Sequence, residues 1–178
     1  MDYTHHYHSP LGGMTMASDG KALTGLWFDG QKYFADTLSG TYSERDLSVF
    51  DETDHWLDIY FSGRQPDFIP TYRMDGLTPF RKMVSDIMCE IPFGQTVTYG
   101  GIAKRIEETH QGVSLRQKKM SAQAVGGAVG WNPICIIVPC HRVVGANGNL
   151  TGYGGGMHNK IALLKHEGLD MRQFFCVK

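Results

Sequence analysis

A segment with two prolines and a glycine, residues 65–76, divides the chain into two parts of opposite charge. Residues 1–78 contain 12 acidic and 5 basic side chains, whereas residues 79–178 contain 6 acidic and 12 basic ones. We predict an N-terminal domain over residues 1–77 and a C-terminal domain over residues 78–178. The basic part suits a polyanionic partner, although a chance excess of charge on solvated surfaces would give the same asymmetry.

Composition and sequence pattern favour a packed globule and argue against a membrane-spanning protein or a disulfide-stabilised secreted one. An apolar fraction of 42% with 11% aromatic residues is typical of a packed globule. Neither a membrane-spanning apolar run nor an export signal is visible, so we expect a soluble, cytoplasmic protein. The four cysteines form no Cys-x-x-Cys pair, so we expect free thiols, and we interpret Cys89, Cys135 and Cys176 as small hydrophobic residues.

Short apolar runs alternate with turn signals at the start of the chain. Turns are indicated at residues 9–13, 19–20 and 29–30, which predicts a small antiparallel sheet. Residues 54–61 are predicted to form a short helix that ends at the following Ser-Gly pair.

The second part is predicted to be mainly helical. Thr78 can cap a helix with Pro79 in its first turn, and one apolar stripe continues through Phe80, Met83, Val84, Ile87, Met88 and Ile91. Further helices are predicted at residues 99–108, at residues 122–130 with Ser121 as cap, and at residues 157–167. The basic residues 109–120 are predicted to form a loop.

Three glycines interrupt the predicted helix at residues 122–130, where each costs about 1 kcal/mol relative to alanine. Close packing against another element would explain Gly126, Gly127 and Gly130. A bare helix face that enters a groove of DNA would also explain them, and both explanations can hold on different faces. With the helix at residues 99–108, this pattern is weakly similar to a helix-turn-helix.

A cysteine and a histidine follow an apolar segment. The β-branched residues 134–138 predict a buried strand that ends at Pro139, immediately before Cys140 and His141. A thiol with a pKa of about 8.5 needs a proton acceptor to become a nucleophile at neutral pH. His141 is the candidate acceptor and Glu167 the candidate group that orients it. Because adjacent side chains usually point apart, a water molecule could link Cys140 to His141.

Several motifs in the second part occur in the order found in one family. Residues 132–133, 139–143, 152–156 and 163–168 closely resemble the O6-alkylguanine-DNA alkyltransferases. The match covers nearly all of residues 79–178, while residues 1–78 resemble only loosely the variable N-terminal domain. The resemblance implies an α/β (α+β) fold: a small antiparallel-sheet domain similar to ribonuclease H, and a mainly helical domain with a helix-turn-helix and a short active-site strand.

The resemblance also implies the chemistry. Cys140 would accept the alkyl group of O6-alkylguanine in double-stranded DNA, with O4-alkylthymine as a further candidate, and would be consumed irreversibly. His141 and Glu167 would activate it through a water molecule, and Asn132 would stiffen the turn before it. Tyr99 would donate a hydrogen bond to guanine N3. No cofactor or metal is implied, and we expect a monomer.

The base would leave the DNA stack to reach Cys140. The amide of Gly154 would then meet O6, Tyr153 and Gly155 would line the pocket, and the carbonyls of Cys140 and Val143 would read the exocyclic amine. Gln123 stands where the family often has an arginine that fills the gap in the duplex. The predicted DNA contacts are Thr98, Lys118, Lys119, Ala122, Gln123, Ala124, Gly126, Gly127 and Arg142.

Two other functions remain open at this point. A cysteine hydrolase or acyltransferase would use Cys140, His141 and Glu167 with turnover and would regenerate its thiol. A protein that binds alkylated DNA without accepting the alkyl group would suit Gln123 but would leave Cys140 without a role.

Overall fold

The computed structural model describes residues 1–38, 40–109 and 121–176. Its N-terminal part is a four-stranded sheet followed by a helix. The elements are β1 (Asp2–Ser9), β2 (Gly12–Ser18), β3 (Leu23–Phe28), β4 (Tyr42–Glu44) and α1 (Ser48–Phe61). In the strand order β3-β2-β1-β4, neighbours β1, β2 and β3 are antiparallel, which confirms the predicted sheet, and β4 adds a parallel edge strand.

The helix α1 begins at Ser48, so the prediction of a short helix from residue 54 was wrong at its start. Its buried face comprises Val49, Phe50, Thr53, Trp56, Leu57 and Tyr60, which recur at helical spacing. Leu47 occupies the N-cap position and makes no side-chain hydrogen bond there, so no capping residue marks this start in the sequence.

The C-terminal part contains four helices and one short pair of strands within the described residues. These are α2 (Pro79–Cys89), β5 (Val97–Thr98), α3 (Tyr99–Thr109), α4 (Ala122–Gly130), β6 (Val143–Val144) and α5 (Met157–His166). The predicted caps are confirmed: Thr78 accepts a hydrogen bond from the amide of Arg81 at 3.2 Å, and Ser121 accepts one from Ala124 at 3.1 Å. Helices α2, α3 and α4 pack against one another.

These elements confirm the mixed α/β fold class. The two helices of the predicted helix-turn-helix, α3 and α4, are present. The predicted loop between them lies almost entirely outside the described residues, together with Lys118 and Lys119. Among the described residues, every helix is too short or too polar to cross a membrane.

The predicted strand at residues 134–138 was wrong. Ile134 forms one isolated bridge with Leu26, after which the chain turns, with Ile136 at φ 67°. The amide of Val138 donates to the carbonyl of Ile134 at 3.0 Å, and the amide of Cys140 donates to that of Val138 at 2.8 Å. The β-branched residues within 134–138 correctly predicted that this segment is buried. Burial does not distinguish a strand from a buried turn, so the prediction of a strand did not follow.

One hydrophobic core joins the two parts. It includes Met14, Leu26 and Tyr60 from the first part and Ile102 and Ile134 from the second, and all five are fully buried. The turn at residues 134–138 is held from the N-terminal sheet, because the amide of Leu26 donates to Pro133 and the amide of Cys135 donates to Leu26. The first part therefore shapes the backbone that leads to Cys140.

Candidate active site

Cys140 lies at the start of a 3-10 turn, Cys140–Arg142, and is 4% exposed. Its Sγ accepts a hydrogen bond from Nδ2 of Asn132 at 3.0 Å. The same amide group donates to the carbonyl of Val138 at 2.8 Å, while Oδ1 of Asn132 accepts from the amide of Ile134 at 3.0 Å. Asn132 thus bonds to the turn, as the family resemblance implies, and also contacts the sulfur, which the sequence did not indicate.

The surroundings of Cys140 favour its thiolate. Contact with the Cys135 thiol lowers the pKa of Cys140, burial opposes this, and the Asn132 amide and the positive charge of Lys160 lower the pKa further. The balance holds the pKa of Cys140 below its ordinary value. A larger fraction of this thiol is therefore nucleophilic at neutral pH.

His141 follows Cys140 and is fully buried against Glu167. Nε2 of His141 lies 2.6 Å from Oε1 of Glu167. Because an ionised carboxylate only accepts, Nε2 carries the proton and Nδ1 has the free lone pair. Nδ1 is buried and has no partner among the described residues. Burial lowers the pKa of His141 although Glu167 favours its charged form, so the ring is a neutral base.

Glu167 caps the end of α5 and collects hydrogen bonds from four residues. Besides His141, it accepts from the Tyr60 hydroxyl at 2.8 Å, from the Gly94 amide at 3.0 Å and from Arg142. Burial would raise the pKa of Glu167, but His141 and Arg142 together lower it to about 2. The carboxylate stays ionised and holds the imidazole in one orientation.

The position of Arg142 corrects the prediction that it contacts DNA. Its guanidinium is buried, with Nε 2.9 Å from Oε2 of Glu167 and Nη2 3.0 Å from Oε1. Its Nη1 donates to the carbonyl of Ile91 at 2.7 Å. Arg142 therefore neutralises the buried carboxylate of Glu167. The sequence shows only a basic residue beside a cysteine, and it does not indicate that the partner of this residue is an internal carboxylate.

The Tyr99 hydroxyl faces the glycine-rich loop at residues 152–156. It donates to the carbonyl of Gly152 at 2.8 Å and to that of Thr151 at 3.2 Å. Burial and the charge of Cys140 raise the pKa of Tyr99 to about 12, so its proton stays available for donation.

The predicted pocket residues lie together in a tightly packed loop. A Cβ added at Gly155 would lie 2.6 Å from the ring of Tyr153, and one added at Gly154 would lie 3.1 Å from the carbonyl of Gly130. The Tyr153 hydroxyl is buried without a partner among the described residues. The amide of Lys32, from the N-terminal part, donates to the carbonyl of Gly154 at 3.1 Å. The loop is therefore positioned by both parts of the chain.

Lys160 is a functional candidate that the sequence interpretation missed. It is fully buried, its Nζ donates to the carbonyl of Val143 at 2.6 Å, and it lies 5.7 Å from the ring centroid of Tyr99. Burial lowers the pKa of Lys160 to about 8, against the attraction of the Cys140 charge. Its spacing to Leu163 and Leu164 places it on the apolar face of α5, which is the signal that could have identified it.

Comparison with known proteins follows the same division of the chain. The family model for the DNA binding domain of 6-O-methylguanine DNA methyltransferase matches residues 79–169, and the model for its ribonuclease-like domain matches residues 3–69. The chain belongs to the 6-O-methylguanine DNA methyltransferase family. The resemblance seen in the motifs is thereby confirmed.

Individual relatives in this family match most of the chain. The methylated-DNA--protein-cysteine methyltransferase of Methanosarcina mazei is 42% identical over 93% of this chain and 96% of its own length. That of Mycobacterium bovis is 41% identical over 91% and 92%. The crystal structure of Mycobacterium tuberculosis OGT in complex with DNA is similar with a TM-score of 0.77 and 38% identity, covering 93% of this chain and 92% of that one.

The helix α4 presents an open face. Ala122, Gln123, Ala124 and Gly127 are exposed. A Cβ added at Gly127 or Gly130 would meet nothing within 4 Å, and one at Gly126 would only touch the Tyr99 ring at 3.9 Å. Close packing within the chain therefore does not require Gly127 or Gly130.

Thr98, another predicted DNA contact, has a structural partner. Its Oγ1 accepts a hydrogen bond from the amide of Gly101 at 2.9 Å at the start of α3. A contact with DNA would add to this capping role.

Proposed function

We propose that this chain repairs double-stranded DNA by moving the alkyl group of O6-alkylguanine onto its own Cys140 in one irreversible event. The observation that carries the proposal is a buried sulfur 3.0 Å from the Asn132 amide, followed in the chain by a neutral histidine that Glu167 orients at 2.6 Å. The names of the curated relatives describe the same transfer to a protein cysteine.

The geometry suits nucleophilic displacement. Nδ1 of His141 takes the thiol proton of Cys140 through a bridging water, and the thiolate attacks the alkyl carbon bound to O6. The bond between that carbon and O6 breaks, and its electron pair passes to the guanine. A thioether has no good leaving group, so each chain acts once and needs no cofactor or metal.

Charge that develops on the departing guanine needs a hydrogen-bond donor. Tyr99 fills this role when its hydroxyl turns from the carbonyl of Gly152 to guanine N3. The amide of Gly154 meets O6, and the carbonyls of Cys140 and Val143 bind the exocyclic amine. The carbonyl of Val143 already accepts from Lys160, so its second lone pair is the one available.

The remaining assignments complete the proposal. Residues 1–77 form the N-terminal domain and residues 78–178 the DNA-binding and catalytic domain. The protein acts as a monomer in the cytoplasm, with α4 in the minor groove and Gln123 in the gap left by the flipped base. Lys118 and Lys119 contact phosphates.

Mass spectrometry of the reacted protein tests this function. After incubation with a duplex that contains one O6-methylguanine, the tryptic peptide of residues 120–142 is expected to gain one methyl group, and fragment ions should place it on Cys140. The Cys140→Ser variant should gain none, whereas Cys89→Ser, which alters an exposed thiol, should react normally. DNA binding without methyl gain would indicate a binding protein, and ester turnover with a free thiol would indicate a hydrolase.

The open face of α4 gives a second expected result. Gly127→Leu is expected to weaken binding to duplex DNA at least about tenfold, because the new side chain would occupy the groove-facing surface. The fold should tolerate it, since no atom lies within 4 Å of the added Cβ and leucine favours helix over glycine. Fluorescence anisotropy measures binding and urea unfolding measures stability.

Gly127→Ala is the graded control. It should stabilise the helix by about 1 kcal/mol and reduce affinity much less than leucine does. If Gly127→Leu binds DNA as tightly as the unaltered chain, this face of α4 does not enter a groove.

A further inference from the structure

The connecting segment, residues 28–32 at the end of β3, contacts two separate parts of the candidate site. One contact is made by the main chain, because the amide of Lys32 donates to the carbonyl of Gly154 at 3.1 Å. The other is made by a side chain, because Oε1 of Gln31 accepts a hydrogen bond from Sγ of Cys135 at 3.3 Å. Gly154 belongs to the proposed guanine pocket, whereas Cys135 belongs to the turn that leads to the nucleophile. The connecting segment therefore joins the pocket loop to that turn.

The side-chain amide of Gln31 is held in one orientation. Its Oε1 also accepts from the main-chain amide of Phe28 at 3.0 Å, so both lone pairs of this oxygen are used. Its Nε2 donates to the carbonyl of Lys32 at 3.4 Å. The opposite orientation would turn the NH2 group of Gln31 towards the N–H of Phe28. Gln31 is therefore a fixed link between the connecting segment and the turn.

Cys135 is also constrained at its end of this link. It is 2% exposed, as expected for a small buried side chain, but its thiol donates a hydrogen bond that the sequence did not indicate. Its amide donates to the carbonyl of Leu26 at 2.9 Å, and its carbonyl accepts from the amide of Ile137 at 2.8 Å. The amide of Cys140 bonds to Val138 in the same turn. A shift at Cys135 is therefore passed to the backbone that carries Cys140.

The pocket loop packs closely against the connecting segment. A Cβ added at Gly155 would lie 3.2 Å from the ring of Phe28, and one added at Gly154 would lie 3.9 Å from the carbonyl of Lys32. The bond from the Lys32 amide adds a directional contact to this packing. The connecting segment therefore cannot move far without moving Gly154, whose amide is the proposed donor to O6.

We infer that Gln31 is a positioning residue for alkyl transfer, which fixes the distance between the sulfur of Cys140 and the alkyl carbon on O6. This role rests on the function proposed above. The turn carries the sulfur, the pocket loop holds O6, and Gln31 joins the two through the connecting segment. Its side-chain hydrogen bonds within the described residues are to Phe28, Lys32 and Cys135, so it acts through these backbones and not on the reacting atoms.

Loss of the link is expected to slow the transfer step and to leave DNA binding intact. Displacement needs the reacting atoms about 3–3.5 Å apart and in line, and a misplacement of about 1 Å can cost about 10²-fold in rate. Gln31→Leu removes one of several contacts to the turn, so a smaller shift and a rate constant about tenfold lower are expected. The affinity for duplex DNA should not change, because the open face of α4 stays as it is.

Single-turnover methyl transfer, with excess full-length protein over O6-methylguanine duplex, tests this role. Gln31→Leu removes the acceptor, Cys135→Ala removes the donor, and Cys135→Ser keeps a donor on a side chain of similar size. Both removals should lower the rate constant about tenfold, and Cys135→Ser should retain most of the rate. The double variant should be no slower than Gln31→Leu alone, because both changes break the same bond. Gln65→Leu, which alters an exposed glutamine, is the matched control and should react normally.

Further measurements separate positioning from lost stability. The amplitude of the time course reports folded protein and fluorescence anisotropy reports DNA affinity, and neither should change in Gln31→Leu. Iodoacetamide alkylates Cys140 without a flipped base or the amide of Gly154, and fragment ions of the tryptic peptide 120–142 follow this reaction. Its rate constant at Cys140 should also stay unchanged. A loosened fold would instead expose the buried thiol and make it react faster.

Three results would overturn this role of Gln31. The first is methyl transfer by Gln31→Leu at the unaltered rate constant, and the second is a double variant in which the two single effects multiply. The third is a change in the iodoacetamide reaction as large as that in methyl transfer, which would place the effect on the thiol or on the fold. If the unaltered chain gains no methyl group, the proposed alkyl transfer itself is refuted, so the two failures are distinguishable.

Discussion

Replacing Arg142 with methionine is expected to lower the free energy of unfolding by about 3–5 kcal/mol, because it leaves the buried carboxylate of Glu167 without its cationic partner. Two nitrogens of Arg142 lie within 3.0 Å of that carboxylate, and a third bonds to the carbonyl of Ile91. Methionine fills a similar volume, so lost packing contributes little. Urea unfolding monitored by circular dichroism measures the change.

Arg172→Met is the matched control. Arg172 pairs with Asp170 at 2.7 Å in solvent, so its replacement should leave the unfolding midpoint unchanged within error. If Arg142→Met unfolds like the unaltered chain but binds DNA more weakly, the original interpretation of Arg142 as a DNA contact was right and the internal ion pair is unimportant.

The Arg142–Glu167 ion pair should also affect unfolding by acid. The pKa of Glu167 is about 2 in the folded chain and about 4.3 in an unfolded one. A depressed pKa stabilises the folded state at pH values above about 4.3, and this contribution is lost as the pH falls towards 2. Without Arg142 the folded-state pKa of Glu167 rises, so the variant should begin to unfold at a higher pH than the unaltered chain.

Replacing Glu167 with glutamine is expected to lower the rate constant of alkyl transfer by about 10²–10⁴-fold. The ionised carboxylate accepts the Nε2 proton of His141 and leaves Nδ1 as the base. A neutral amide stabilises the forming imidazolium less and can present a donor in place of the acceptor. The measurement is a single-turnover time course with excess protein over O6-methylguanine duplex.

The rate constant must be separated from the amount of folded protein, since Glu167→Gln also leaves Arg142 without its counter-charge. A variant that is merely less stable would react with a smaller amplitude at the normal rate constant. Glu90→Gln, which alters an exposed carboxylate paired with Arg105, should change neither quantity. An unchanged rate constant in Glu167→Gln would show that the carboxylate does not assist the thiol.

Local patterns predicted those parts of the fold whose interactions are close in sequence. The caps Thr78 and Ser121 bond to amides within their own first turns, and α2 follows from one apolar stripe. The start of α1 and the turn at residues 134–138 could not be predicted in this way. Both depend on packing against the N-terminal sheet or on bonds to Leu26, which periodicity does not record.

The residues of the candidate site can also be separated into those that local sequence predicted and those that only tertiary contacts revealed. The sequence by itself determined the family and the candidate site residues Cys140, His141 and Glu167, because the motifs that contain them are short and contiguous. Only the tertiary structure decided that Arg142 neutralises Glu167 and that Lys160 is buried beside Tyr99. The physical reason is that these contacts join distant segments or follow a buried turn, and the charge of a side chain in the sequence does not reveal whether its partner is solvent, DNA or another buried group.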